Sequence, residues 1–439
     1  MVPMMGRQFQ TMIGMHGGSA PMAENRRGLL AWCLYDWANS AFPTVLTTFV
    51  FSAYFIKGVA ADEVSGTSQW GVAMSLSALA VAVLGPVLGA ISDNTGRRKP
   101  WLAVFTLIAA FGAMMLRTVE PNTAFIIRAL FWVALANFAF EMGMVFYNAM
   151  LPDLASVEKL GRWSGWGWGL GYMGGLVCLG ITLIVFVQAN IPPFELDKSA
   201  AEDLRITGPF VAVWMVVFAV PLFLLTPDRT TTGKPIGAAI LDGLSALWWT
   251  FRQLRDYKDA AWFLLARMFY ADGLNTLFAF GGIYAAGTFN LTFDELIIFG
   301  IAMNITAGLG AFAFAWLDDK IGPKAVILIS VAGMSVLGSA LLVVESQSLF
   351  WVFGLPLGLF VGPAQSASRS MMAHMAPESI RTEFFGLYAL SGKATAFLGP
   401  AFLAWATVAF ESQRAGMATI ILFFLIGMTL MMKVTAVDR

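Results

Sequence analysis

The stretch Gly89-Ala-Ile-Ser-Asp93-Asn-Thr-Gly96-Arg97-Arg98-Lys99-Pro100 joins two long apolar runs by a turn that holds one acid and three bases. Such a cationic cluster is excluded from hydrocarbon, so it marks a helix end, a glycine-containing turn and a new helix start at a membrane surface. A weaker copy lies further along, at Ala315-Trp-Leu-Asp318-Asp319-Lys320-Ile-Gly322-Pro-Lys324. In this copy, Asp319 matches Asp93 and Gly322 matches Gly96. Two such turns predict a duplicated membrane fold.

The composition of the 439 residues also indicates a membrane protein. The chain is 58% hydrophobic and 12% charged, with a mean hydropathy of +0.72, whereas soluble domains carry about a quarter charged residues. The formal net charge is zero, which gives no case for a nucleic-acid partner. The 2 histidines, His16 and His374, and the 2 cysteines, Cys33 and Cys178, argue against a His-based metal site and a disulfide framework. We therefore expect no metal and no cofactor.

Twelve apolar runs are long enough to cross a bilayer about 30 Å thick. They lie near 29–56, 70–92, 101–117, 124–149, 164–187, 208–226, 260–286, 294–317, 325–344, 350–372, 383–409 and 415–433. The sequence therefore predicts an all-α integral membrane protein with twelve transmembrane helices as two pseudo-symmetric six-helix bundles. The expected divisions are a disordered tail at 1–25, an N-terminal bundle at 26–226, a linker at 227–259, a C-terminal bundle at 260–433 and a tail at 434–439.

Most lysines and arginines fall in loops on one side of these spans, and by the positive-inside rule that side is the cytoplasm. Both termini are then cytoplasmic. In the linker, apolar residues from Ile240 to Leu254 recur at helical spacing and bases follow. This pattern predicts an amphipathic helix on the cytoplasmic membrane face. The first two dozen residues do not form a cleavable signal peptide, and the start at Met1 or Met22 stays open.

The six-plus-six spans, the central linker and the loop after span two resemble the major facilitator superfamily over residues 26–433. Three further segments, Leu34–Phe42, Phe146–Asp153 and Phe384–Tyr388, look like the vacuole-effluxer-like permeases, bacterial relatives of the autophagy-related vacuolar amino-acid effluxer. The resemblance implies the major facilitator fold, in which spans one, four, seven and ten line a central cavity. It also implies efflux. We expect a monomer in the bacterial plasma membrane, with the lipid bilayer as its surroundings.

Few ionisable side chains lie deep within the predicted spans. Each costs at least a few kcal/mol there, which makes each a functional candidate. The Asp-x-x-Asn pattern of span one recurs in span seven, and residues three apart share a helix face, so each span would present a carboxylate and an amide to the cavity. We predict that substrate or protons bind Asp36, Asn39, Asn137, Glu141, Arg267, Asp272, Asn275, Gln365 and Lys393.

The acids of this predicted site suit a substrate ammonium group or a proton, whereas Arg267 and Lys393 suit a substrate carboxylate. The alternative is that these charges form structural ion pairs that hold the bundle together. Direct participation is favoured for Asp36 and Glu141. A structural role is favoured for Arg267, because it lies five residues from Asp272 and is turned off that face.

The Gly89–Pro100 turn is expected to act as a gate. By the resemblance, Asp93 and Arg97 tie the cytoplasmic ends of spans two and eleven in the outward-open state. The second copy has Ala315 in place of glycine and Pro323 in place of the first arginine, so its contact should be weaker. The predicted gate residues are Asp93, Arg97, Arg98, Asp319, Lys324 and Arg369.

The expected function is secondary transport of a small polar or zwitterionic metabolite, amino acids first, by alternating access coupled to protons. Uncoupled facilitated diffusion of a small solute is the alternative transporter. A non-transporting membrane sensor or a lipid scramblase would need a soluble signalling domain or a polar groove facing lipid, and the sequence indicates neither. No nucleophile–base pair, metal cluster or nucleotide-binding glycine loop stands out, so we expect neither an enzyme nor an ATP-driven pump.

Overall fold

The computed structural model describes residues 25–189, 193–233 and 257–435, together with 237, 242, 243 and 245. Within these residues the chain consists of helices, turns and bends, without a strand. Most of the predicted amphipathic helix of the linker, the tail before residue 25 and residues 436–439 lie outside the described residues.

The helical spans follow one another in the predicted order. Those of the first half are α1 Arg26–Val59, α2 Glu63–Thr95, α3 Lys99–Met115, α4 Ile126–Leu154, α5 Leu160–Ile181 and α6 Thr207–Leu225. Those of the second half are α7 Lys258–Phe289, α8 Phe293–Ile321, α9 Pro323–Val343, α10 Gln347–Met375, a broken α11 with pieces α11a Arg381–Ser391 and α11b Leu398–Ala409, and α12 Gln413–Met432.

In the described part of the chain, 10 helices are long and apolar enough to cross a membrane, and α7 and α11 are not among them. The sequences of α7 and α11 show why these two helices are less apolar or shorter than the others. Although α7 has 32 residues, it carries Arg267, Asp272 and Asn275 near its middle. The span of α11 is interrupted, and its longer piece has only 12 residues. Polar or broken helices are tolerated at membrane depth where they face protein or a cavity.

The most extensive contacts between the two halves lie along two helix pairs, α2 with α11a and α5 with α8. Backbones approach closely at both. A Cβ at Gly386 would lie 2.5 Å from the carbonyl carbon of Gly85, and a Cβ at Gly165 would lie 2.6 Å from the carbonyl oxygen of Ala311. Small residues therefore bring the helices of the two halves into direct backbone contact.

The two charged turns lie at the same end of the bundle, which we call the latch end. At each turn a glycine with positive φ ends the preceding helix, Gly96 at +90° after α2 and Gly322 at +87° after α8. Glycine adopts this conformation without the steric penalty of a Cβ. The repeated glycine of the sequence thus ends the helix before the turn in both halves.

Candidate functional site

Asp93, near the end of α2, caps the start of α11a. Its carboxylate accepts hydrogen bonds from the backbone amides of Thr382 and Glu383, at 2.7 and 3.0 Å, and from the Thr382 hydroxyl at 2.6 Å. A carboxylate at a helix N-terminus satisfies amides that lack partners within the helix and interacts favourably with the helix dipole. This contact joins the first half of the protein to the second.

Asp153, near the end of α4, receives three guanidinium groups. Arg229 of the linker binds both of its oxygens, at 2.8 Å each. Arg98 and Arg381 each form an ion pair with the same carboxylate. Burial lowers the pKa of Arg229, but the hydrogen bonds and charge of Asp153 more than offset this, so the pKa lies above its ordinary value. The cluster links the first half, the linker and α11a.

Arg98, rather than Arg97, occupies the position predicted for the gate arginine. Its Nη2 lies 3.4 Å from Asp93 Oδ1, and its Nε donates to the Thr382 hydroxyl at 2.8 Å. Arg97 is exposed. Consecutive residues at a helix start point in different directions, so only one of the two arginines faces the interface. The predicted tie between Asp93 and Arg97 is therefore wrong.

The second turn makes the equivalent contact between α8 and α5. Asp319 Oδ1 accepts a hydrogen bond from the Arg162 backbone amide at 2.8 Å. The other oxygen of Asp319 lies 3.0 Å from Arg162 Nε. As in the first copy, an acid before the turn binds the start of a helix in the opposite half.

Lys324, predicted as a gate residue, instead acts within the second half. Its Nζ donates to the carbonyls of Met432 and Val434 at the end of α12. Lys99 does the same at the end of α6, where it reaches the carbonyl of Phe223 at 3.0 Å. A lysine in this position satisfies carbonyls that have no partner within the helix. A lysine that follows each turn thus contacts the end of the last helix of its own half.

Arg369 of α10 is buried between the halves, with 1% of its surface exposed. Its Nη1 lies 2.9 Å from Asp36 Oδ2 in α1 and 3.3 Å from Asn148 Oδ1 in α4. Its Nε and Nη2 donate to the hydroxyl and carbonyl of Ser164 in α5, at 2.9 and 2.7 Å. A buried ion pair is tolerated when its remaining donors are satisfied, as they are here. Asp36 is therefore held by protein in this structure.

Aromatic rings complete the surroundings of the Arg369 guanidinium. Its Cζ lies 4.7 Å from the centre of the Trp32 ring, a distance that suits a cation–π interaction. The Trp32 ring stacks on Tyr147 with 4.5 Å between centroids. The fit leaves no room at Gly167 of α5, where a Cβ would lie 2.5 Å from Asp36 Oδ2 and 2.7 Å from Arg369 Nη2. The pair thus requires glycine on the facing helix.

Lys393, in the break of α11, pairs with Glu141 of α4. The distance from Nζ to Oε1 is 2.7 Å, and the two side chains are 28% and 22% exposed. The side chains of Arg369 and Asp36, by contrast, are 1% and 6% exposed. The Glu141–Lys393 pair therefore also bridges the halves, but it is open to solvent.

Arg267 of α7 reaches the same break. Its Nη1 donates to the Tyr388 carbonyl at 2.7 Å and to the Ser391 hydroxyl at 2.8 Å. Its Cζ lies 3.6 Å from the centre of the Tyr388 ring. Among the described residues, no carboxylate lies within ion-pair distance of this guanidinium. Its positive charge therefore has no acidic partner in the described part of the chain.

The Asp-x-x-Asn pattern predicts that Asp272 and Asn275 face a cavity together. The structure instead places Asp272 against α11b. Asp272 is 1% exposed, and its Oδ2 accepts a hydrogen bond from the Gly399 amide in α11b at 3.0 Å. Asn275 is exposed. The break in α11 provides the free amide that draws Asp272 toward α11b, so the matched patterns of α1 and α7 occupy different environments.

The other predicted amides contact neighbouring helices. Asn39 donates to the Met144 sulfur at 3.0 Å, Asn137 donates to the Ser77 hydroxyl at 2.8 Å, and Gln365 accepts from the Tyr172 hydroxyl at 2.6 Å. The contact of Gln365 joins α10 to α5 across the halves. The first two contacts lie within the first half.

Sequence reasoning did not select Asp153, Arg229, Arg381 or Arg162 as site residues. Asp153 ends the Phe146–Asp153 segment, which carries part of the family resemblance, and this was the available signal for it. In the sequence, the three arginines look like any other base between predicted spans. Their roles arise from contacts between segments far apart in the chain.

Together, these contacts form three polar layers between the halves. The first lies at the latch end around Asp93 and Asp153, the second is the Asp36–Arg369 pair, and the third is the Glu141–Lys393 pair. These contacts join the two six-helix bundles through charged side chains.

A comparison with known families identifies the kind of protein to which this chain belongs. The family model described as "Vacuole effluxer Atg22 like" matches residues 53–439. The chain belongs to this Atg22-like family. It is 26% identical over 404 residues to the "Uncharacterized MFS-type transporter YxiO" of Bacillus subtilis (strain 168), with 91% of this chain and 93% of that protein covered.

A fungal relative and a solved structure extend the comparison. The Atg22-like chain is 24% identical over 301 residues to "Autophagy-related protein 22-1" of Penicillium rubens, which covers 63% of this chain. It spans about half of that relative, 49% of its length. The crystal structure of the major facilitator superfamily transporter FucP in the outward conformation superposes with a TM-score of 0.72 at 11% identity, covering 94% of this chain and 99% of FucP. The predicted major facilitator fold is confirmed, and the Atg22-like chain is a transporter rather than an enzyme.

Proposed function

We propose that this transporter carries a small metabolite with a carboxylate group, with amino acids as the leading candidates. We further propose that Arg267 binds that carboxylate. The observation that carries the proposal is the Arg267 guanidinium, which lies within the membrane domain without a carboxylate partner among the described residues. An unneutralised charge there is costly. A substrate carboxylate would neutralise it, and the planar guanidinium presents two parallel donors that match a carboxylate.

Groups near Arg267 fit the rest of an amino acid. Asn275 lies eight residues after Arg267, so the two share one helix stripe, and its exposed amide supports an opening along this stripe. Glu141, partly exposed, is the candidate for binding a substrate ammonium group, because its partner Lys393 lies in the same break of α11. A zwitterion would bring a positive group for Glu141 and a negative group for Arg267.

The three polar layers support alternating access. In this structure they close the latch end, and we assign that end to the cytoplasm because it carries most of the bases. Both termini are then cytoplasmic. Transport requires these layers to separate while the opposite end closes, by rocking of one six-helix bundle against the other. We further propose that protons drive this cycle, with uncoupled facilitated diffusion as the alternative.

A ligand series with matched charges tests this proposal. The purified full chain would be screened by thermal shift against amino acids, the corresponding amines without the carboxylate, and amino-acid amides. We expect stabilisation by a subset of the amino acids and none by their amines or amides. Equal stabilisation by an amino acid and its amine would contradict carboxylate binding at Arg267. Uptake of the stabilising compounds into liposomes at two pH values then separates coupled from uncoupled transport.

A further inference from the structure

The second piece of α11 begins against Asp272. The break runs from Ser391 to Leu398, and Gly399, near the start of α11b, donates its amide to Asp272 Oδ2 at 3.0 Å. The first amides of a helix have no partner within it, and the dipole makes this end positive. Asp272 is thus a cap for a helix that starts in the middle of a membrane span.

The second oxygen of this carboxylate has no partner. Asp272 Oδ1 is buried and makes no hydrogen bond with the described residues, and the residue is 1% exposed. The nearby Thr276 hydroxyl donates to the backbone carbonyl of Asp272 at 2.8 Å, so it is not directed at the carboxylate. A Cβ at Gly399 would lie 2.0 Å from the Thr276 hydroxyl and 2.9 Å from Oδ1, so α11b packs tightly over the site.

Charged groups on the helices around α7 are engaged elsewhere or lie at helix ends. Within α7, Arg267 binds the Tyr388 carbonyl, and in the break of α11, Lys393 pairs with Glu141. The bases on α10 and α12 bind other groups: Arg369 pairs with Asp36, His374 contacts the Ser370 carbonyl, Arg414 donates to the Leu342 and Val344 carbonyls, and Lys433 lies over Trp262. The charges of α8 (Glu295, Asp318, Asp319 and Lys320) and of α11a (Arg381 and Glu383) lie in their first or last turns.

We propose that Asp272 is the proton-coupling site of this transporter, and that its protonation sets the geometry of the break in α11. This rests on the proposed proton-coupled function. An ionised carboxylate buried without a cation is costly, and a proton taken from water onto Oδ1 removes the charge. The neutral acid is a weaker acceptor for the Gly399 amide, so protonation loosens the cap of α11b. The proton returns to water when the site opens again.

The break connects this site to the interface between the halves. Lys393 lies in the segment between Ser391 and Leu398, whose end is fixed by the Asp272–Gly399 contact. A change at the start of α11b therefore shifts Lys393 relative to Glu141, its partner in the other half. By this route, binding or release of one proton alters the third polar layer and biases the movement of the bundles.

A fluorine label in the break tests the proposal without any substrate. Ala394, exposed within the break, would be changed to cysteine in a Cys33→Ser, Cys178→Ala background, labelled with a trifluoromethyl probe and followed by ¹⁹F NMR across a pH series. We expect a pH-dependent change of the signal in the parent chain. In Asp272→Asn the signal should stay in its low-pH form at every pH, and in Asp272→Glu the midpoint should move.

The matched control is Asp318→Asn, which removes another buried acid with an unpartnered oxygen, at the latch end of α8. It should keep the pH response. Persistence of the full response in Asp272→Asn, or an unchanged midpoint in Asp272→Glu if the Asn variant does not fold, would overturn the proposal. A ¹⁹F signal that changes with sodium concentration rather than with pH would also overturn the proposal. Because no amino acid is added, failure of carboxylate binding at Arg267 would leave this result unaffected.

Discussion

Asp36 and Arg369, 333 residues apart in the chain, form an ion pair across the two halves with 2.9 Å between Oδ2 and Nη1. The pair is buried, and four further contacts satisfy or cover the guanidinium. In this state Asp36 holds the halves together rather than binding a substrate. If transport proceeds by the proposed rocking of the bundles, both charges need other partners when the halves separate, and we expect this pair to act as a barrier within the transport cycle.

Loss of one partner of this pair should destabilise the protein more than loss of both. Asp36→Asn or Arg369→Gln leaves a buried charge without its counterpart, which costs about 3–5 kcal/mol. The double variant leaves two neutral groups that can still form hydrogen bonds. We expect its melting temperature in detergent to lie above that of either single variant. A double variant whose loss equals the sum of the single losses would show that the two residues do not interact.

Gly167→Ala, in α5, should weaken the Asp36–Arg369 pair, whose partners lie in α1 and α10. Its Cβ would lie 2.5 Å from Asp36 Oδ2, closer than real Cβ contacts allow. Gly180→Ala, also in α5, is the matched control because nothing lies within 4 Å of its Cβ. We expect a loss of about 1–3 kcal/mol from overpacking at Gly167 and a neutral or slightly positive effect at Gly180. Equal thermal stability of the two variants would contradict the packing described around Arg369.

The two acids of the charged turns should contribute unequally to closure of the latch end. Asp93 accepts three hydrogen bonds from α11a. Among the described residues, Asp319 accepts one hydrogen bond, from the Arg162 backbone amide, and pairs with the Arg162 side chain, which is 35% exposed. Loss of the bonds to Asp93 costs about 1.5–3 kcal/mol, which corresponds to about 10–150-fold more open state. Asp93→Asn should therefore open the latch end far more than Asp319→Asn.

A cysteine at Ser366 reports this opening, in the background without Cys33 and Cys178. Ser366 is 3% exposed and its carbonyl accepts a hydrogen bond from Ser164 in the opposite half. Thiol labelling at one fixed pH should accelerate more than tenfold in Asp93→Asn and less than tenfold in Asp319→Asn. The threshold follows from the cost of about 1.5–3 kcal/mol given above for loss of the bonds to Asp93. Equal acceleration in both would refute the asymmetry.

The sequence predicted the fold because membrane helices are specified locally. Hydropathy locates most of the spans, and the duplicated turn with Gly96 and Gly322 locates the repeat. The site was less predictable, since contacts between distant helices decide which charges meet. The pairing of Asp36 with Arg369 had no local signal, and nothing in the residues around Arg97 shows that Arg98 faces the interface instead. The environment of Asp272 depends on a break in α11 that the predicted span 383–409 did not include, although Gly392, Gly399 and Pro400 lie in or beside it.

Arg267 is the residue on which the proposed function depends most. Replacement by glutamine removes the charge at the break of α11, and replacement by lysine keeps the charge but not the planar pair of donors. Arg128→Gln is the control, because Arg128 is an exposed base near the start of α4, over the Phe125 ring. The affinity of Arg267→Lys for an amino acid should lie between those of the parent chain and Arg267→Gln. This separates loss of the charge from loss of the fold.

The most direct measurement is the affinity of these purified variants for an amino acid that stabilises the parent chain, determined by equilibrium binding. Loss of a charge-assisted hydrogen bond is worth about 1.5–3 kcal/mol, so Arg267→Gln should bind about 10–150-fold more weakly while Arg128→Gln keeps the parent affinity. Unchanged affinity in a folded Arg267→Gln variant would contradict the assignment of Arg267 as the carboxylate-binding residue.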